Sequence, residues 1–141
     1  MRKLKSALIW SFAVLAASPS QAAESAIAVS ERKAILQALR GPTEKSLGAP
    51  VIFVVTTLRA NRDYAFVQAE PQRPGGGRID GRALYGEDWD NMDGLTTTAI
   101  LRKNGRGWTI VERRVGATDA WYCGYVPVAR FDPCGGYPAD E

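Results

Sequence analysis

Arginine is the residue type with the most chemistry to offer in this 141-residue chain. Arg102, Arg106, Arg113 and Arg114 crowd around a single turn signal. Guanidinium forks grip carboxylates and phosphates bidentately and are enriched at binding surfaces. These four are therefore candidate contact residues, although an Arg excess also accompanies the Ala- and Gly-rich composition that a GC-rich genome produces. Trp121, Tyr122 and Tyr125 form a second candidate group. Aromatics of this density either present a partner surface or seal a core too small for one helix to close.

The densest acidic chemistry is Glu87, Asp88, Asp90 and Asp93, interrupted by Trp89. A calcium loop fails on register. With Asp93-Gly94 at loop positions five and six, Trp89 falls at position one and Ile100 at position twelve. A glycosidase pair, with Trp89 as sugar platform and Asp88 or Asp90 as acid and base, needs carboxylates fixed on rigid elements. The plainer reading is a solvated acidic loop with Trp89 tucked into the sheet edge.

The chain has no His, which removes Ser-His-Asp and Cys-His nucleophile systems and imidazole metal sites. Beyond residue 22 the Ser residues are Ser25, Ser30 and Ser46, all before the first strand signal, so a Ser-Lys dyad would have to sit on the helix. Gly75-Gly-Gly77 has neither the preceding strand nor the following helix of a phosphate cradle. No catalytic residue, metal ligand or cofactor is assigned.

Residues 1–22 read as a cleaved signal peptide. A cationic head with Arg2, Lys3 and Lys5 precedes an apolar run over 7–17 and a small, turn-prone stretch ending at Ala22. A run of eleven mainly apolar residues falls short of the roughly 20 that cross a bilayer, so no membrane span is expected after its removal. The precursor carries 18 basic and 15 acidic residues; losing the head leaves 15 of each. A neutral mature domain argues against a nucleic-acid partner. The expected location is the periplasm or the exterior. In such an oxidising compartment Cys123 and Cys134 read as a disulfide, and closing their loop contributes about 3 kcal/mol in the chain-entropy picture.

These groups need elements to position them. Residues 30–39 read as a helix, with Ser30 as cap, Glu31 in the first turn, and Ile35, Leu36 and Leu39 on one face. Gly41-Pro42 should stop or kink it, with one further turn over 43–47. Residues 51–58 and 64–69 make a first hairpin, and 71–77 a glycine-rich loop. Residues 96–103 and 108–115 flank Asn104-Gly105 as a second hairpin. A two-residue turn there pairs Leu101 with Trp108 and Ala99 with Ile110, all four on one buried face. The two hairpins echo each other: Leu58-Arg-Ala-Asn61, then Arg62 and an aromatic-led strand, against Leu101-Arg-Lys-Asn104, then Arg106 and another. Either a duplication with paired sites or the convergence of two hairpins on one pattern accounts for it.

The expected fold class is α+β: one N-terminal helix on a four-stranded antiparallel sheet made of two hairpins. Residues 23–141 form a single domain in this reading, with 117–141 as an irregular, aromatic, disulfide-stapled segment laid against it.

Several features together resemble a set of short exported bacterial proteins of proteobacterial type with no assigned activity. They are the signal, a helix of the type Lys33-Ala-Ile-Leu-Gln-Ala-Leu39, a Phe53-Val-Val strand, an Ala65-Phe-Val strand leading to Gln72-Arg73-Pro74, and Trp108-x-x-Val111-Glu112 running into Gly116-Ala-Thr-Asp119. That resemblance implies fold and compartment but no catalytic residue. More coarsely, the layout resembles cystatin-like and nuclear-transport-factor-2-like folds, which host enzymes and binders alike. The leading expectation is a monomeric, non-catalytic envelope protein that binds another protein or a glycan, an inhibitor or immunity-type protein being a specific version. A carboxylate-dependent hydrolase of envelope glycans is one alternative. The other is a small-ligand binder with a deep pocket lined by Phe53, Phe66 and Trp108.

Overall fold

Ile35, Leu39, Thr43 and Leu47 recur every fourth residue, and this stripe is the buried face of α1 (Val29–Leu47). The computed structural model describes residues 27–135; the expected signal peptide at 1–22 and Tyr137 of the tail lie outside them. Two expectations about α1 change. Ala28 occupies the cap position without a side-chain hydrogen bond, and Ser30 lies within the first turn. The helix also runs through Pro42 without stopping. Proline removes one backbone donor, but Thr43 and Leu47 continue the buried stripe, and burial holds the last turn in place. Thr43 Oγ1 donates to the Leu39 carbonyl at 2.8 Å and Ser46 Oγ to that of Pro42 at 3.1 Å.

Gly48, at φ 79°, ends the helix. The exposed carbonyls there find a partner far along the chain. Arg73 donates to the carbonyls of Leu47 at 2.7 Å, Pro50 at 3.0 Å and Gly48. A cation on these carbonyls complements the helix dipole. The stretch expected to be only a glycine-rich loop therefore holds the C-terminus of α1, and an Arg73–Gly77 bridge closes the turn behind it.

β1 (Ile52–Ala60), β2 (Tyr64–Gln72), β3 (Thr97–Asn104) and β4 (Gly107–Val115) form one antiparallel sheet in that order. Pro71 belongs to β2 rather than to the loop and lies opposite Phe53. It is tolerated because β3 pairing ends at Ala69, leaving β2 with a neighbour on one side only.

In the second hairpin the turn residues are Gly105 and Arg106, closed by Asn104 opposite Gly107. Only Gly105 has positive φ, the pattern of a II′ turn with glycine first. Lys103 therefore faces Trp108 and Leu101 faces Ile110. The displacement from the expected register is two residues, which preserves side-chain parity. Ala99, Leu101, Trp108 and Ile110 accordingly share the helix-covered face, as expected.

Between β2 and β3 lie α2 (Gly81–Tyr85) and a 3₁₀ turn (Gly86–Asn91). Trp89 is not tucked into the sheet edge. Its ring lies on Gly81, where a Cβ would come within 2.0 Å of it.

Both faces of the sheet carry a packed cluster, although Ile52 and Val54 of β1 stay exposed on the second. Ile35 and Leu39 pack on Ala65, Val67, Ala69, Ala99, Leu101 and Trp108 on one side. On the other, Phe66 and Ile100 meet Val128 of the C-terminal segment. That segment is stapled by Cys123–Cys134, with Cα atoms 5.7 Å apart. It is less irregular than expected, because Val126–Ala129 forms one helical turn, α3, with Pro127 in its tolerated first positions.

Candidate functional site

The arginines divide by what they already hold. Arg73 holds the end of α1, and Arg82 bonds Asp90. Arg114 is shared between Glu112 at 2.8 Å and Asp119 at 3.4 Å, and stacks 4.8 Å above the Trp121 ring. Arg113 Nη2 donates to Ser46 Oγ at 2.9 Å, and its Nη1 is buried without a partner among the described residues.

Position explains why neighbours behave so differently. Ile100 pairs with Glu112 and Leu101 with Ile110, so Val111 is an extra residue, a β-bulge. An extra residue exchanges the faces of everything beyond it. Arg113 thereby joins Ala99 on the helix side, and Arg114 joins Thr98 on the tail side. The four hairpin arginines expected as one contact surface are thus split, with Arg113 on the wrong face to take part.

Arg102 and Arg106 remain exposed, and neither has a hydrogen bond or ion pair among the described residues. They have company. Arg59 near the end of β1 and Arg62 in the β1–β2 turn are also exposed, with side chains unpaired among the described residues. The Lys103 amide donates to the Asp63 carbonyl at 2.7 Å, which ties the two hairpin turns together. Arg59 lies opposite Phe66 and Arg102 opposite Tyr64, so both belong to the tail-covered face. The four arginines therefore lie at one end of the sheet, the end that carries half-buried Tyr64, with Asp63 on the β1–β2 turn. Arg59 and Arg62 were missed as site residues, although the echo between the hairpins placed them in register with Arg102 and Arg106.

The tail aromatics border this end. Tyr64, Trp121, Tyr122, Tyr125 and Phe131 all pack around Phe66, Ile100 and Val128. Phe66 and Tyr122 lie 5.0 Å apart between centroids, and Trp121 meets Tyr122 edge-on at 5.7 Å. Trp121, Tyr122 and Tyr125 are half-buried; they seal the second core while keeping one edge at the surface.

Behind the hairpin end, on the helix side, Glu31 fixes the geometry. Its Oε1 accepts from Lys103 Nζ and, at 3.1 Å, from Trp108 Nε1, and Lys103 lies 4.8 Å over the Trp108 ring. The first turn of α1 is thereby pinned to the second hairpin, and the arginine-bearing turn starts from a rigid base.

Other sequence candidates lie elsewhere. Asp88 and Asp90 are exposed on the 3₁₀ turn, Asp90 bonded to Arg82. Phe53 and Trp108 pack on the helix side while Phe66 packs on the tail side, so the deep pocket expected between them is not formed. Among the described residues no three His, Cys, Asp or Glu side chains gather as a metal site. No protein-family model, curated protein or solved structure matches the chain.

Proposed function

We propose that this chain is a non-catalytic exported domain that docks an acidic surface of another envelope protein through the arginine-bearing end of its sheet. The carrying observation is the placement of Arg59, Arg62, Arg102 and Arg106 at one end of the sheet, exposed and without partners among the described residues, on or beside two turns joined by a backbone hydrogen bond. Unpaired guanidinium groups on a rigid base lose little on binding carboxylates bidentately, and their summed field speeds encounter with an acidic partner. An inhibitor or immunity protein acting on an exported enzyme is the specific form this reading takes.

Export rests on the sequence of residues 1–22, on the resemblance to short exported bacterial proteins, and on the Cys123–Cys134 disulfide, a bond that persists in oxidising compartments. No helix among the described residues is long and apolar enough to cross a membrane, which is compatible with a released domain.

The test is affinity capture from bacterial envelope extract with the tagged chain and with its R59Q/R62Q/R102Q/R106Q variant. One stoichiometric acidic protein, recovered by the native chain and lost both in the variant and at high salt, is the expected result. Equal recovery by the variant, or no recovery by either, contradicts the proposal.

A further inference from the structure

At the other end of the tail-covered face the sheet and the C-terminal segment part, leaving a half-open cavity of about 180 Å³. Its wall is built by Gln68 of β2, Thr96 and Thr98 beside and within β3, Asp93 of the preceding loop, and Thr118, Asp119 and Tyr122 after β4. This space holds about six waters at ~30 Å³ each, the scale of one monosaccharide.

The hydrogen-bond capacity of the wall is largely uncommitted. Thr98 is only 6% exposed, yet its hydroxyl has no partner among the described residues. The hydroxyl is not itself sealed from solvent, and the cavity is where this residue faces open space. Gln68 Nε2 donates to Tyr122 Oη at 3.2 Å, which leaves the tyrosine proton and the Gln68 Oε1 free. Thr96 Oγ1 donates to Glu70 Oε2 at 3.1 Å, so its lone pairs remain as acceptors.

Charge decides the kind of ligand. The Asp93 carboxylate has no hydrogen-bond or ion-pair partner among the described residues, and Asp119 is touched only by Arg114 at 3.4 Å. Arg114 also serves Glu112, so one cation answers two carboxylates while Asp93 stands unanswered and Glu70 adds charge behind Thr96. Acceptors exceed donors, and the wall is net negative.

We infer that this cavity binds a small polyhydroxylated ammonium compound of amino-sugar type. The ammonium pairs with Asp93 and Asp119, and the hydroxyls bond Thr98, Gln68 and Tyr122. The site is independent of the arginine-bearing end: Thr98 is four residues from Arg102 along β3, about 13 Å.

The probes are D-glucosamine, D-glucose and calcium chloride, each titrated into the native chain while backbone amide shifts are followed by NMR. Glucosamine should give saturable shifts at Thr98, Thr118 and Asp119, with glucose at least about tenfold weaker, since the charged hydrogen bonds are the strong ones. Thr98→Val and Asp93→Asn should each weaken glucosamine by about fivefold to tenfold with an unchanged melting temperature. Asp93 is exposed, so its variant keeps the test alive should Thr98→Val fold poorly. Equal affinity for glucose, saturation by calcium in place of glucosamine, or no saturable response overturns the inference.

Discussion

The two faces of this sheet are covered in different ways. Under α1 the packing is mainly aliphatic around Trp108, with Ile35, Leu39, Leu47, Val67 and Leu101 fully buried. Its polar side chains serve to fasten elements, as Glu31 does on Lys103 and Trp108. Under the C-terminal segment a small core of Phe66, Ile100 and Val128 is ringed by half-buried aromatics. On either side of that ring lies uncommitted chemistry: unpaired arginines at the hairpin end, and an acidic, hydroxyl-lined cavity at the other. The first face mainly holds the fold together, with the buried Nη1 of Arg113 as an exception, and the second leaves several exposed polar groups unsatisfied by the described residues. Groups of that second kind are the ones a ligand can satisfy.

Leu39→Ala attacks the helix-covered face and should have the largest effect on stability, about 2–5 kcal/mol in urea unfolding. A loss below about 1 kcal/mol would show that this face is loosely packed and erase the contrast. Next comes removal of the staple. Cys123→Ser with Cys134→Ser should cost about 3 kcal/mol. The tail should loosen first, seen as Trp121 fluorescence changing before the helical circular dichroism signal; a single coincident transition would mean the faces unfold as one unit. Arg73→Ala leaves the last carbonyls of α1 without their cation and should cost about 1–2 kcal/mol, with fraying confined by hydrogen exchange to the end of α1. The smallest change is expected from Arg59→Gln with Arg102→Gln, which should alter stability by less than about 0.5 kcal/mol because neither side chain holds a partner among the described residues. A larger loss would make these arginines structural.

How far these faces were legible depends on the distance over which each signal acts. Strand alternation and the stripe of α1 are local, and they placed all four strands and the buried set Ala99, Leu101, Trp108 and Ile110. Pro42 misled because its local cost is offset by burial of Thr43 and Leu47, a tertiary effect. Arg73 was hidden because its carbonyl partners lie some 23 to 26 residues away. The Val111 bulge decided the arginines. One extra residue moves Arg113 to the helix side and leaves Arg114 over Trp121, and no residue type at that position announces it. The pairing of Arg59 and Arg62 with Arg102 and Arg106 was visible as an echo between hairpins, but an echo carries no spatial meaning until the strands are ordered.

The most direct test is to map a bound partner onto the sheet by amide-resolved cross-saturation of the captured complex. The account predicts signals at residues 59–66 and 100–106, with the amides of α1 silent. A footprint centred on α1, or one that survives when Arg59, Arg62, Arg102 and Arg106 are all glutamine, would contradict it.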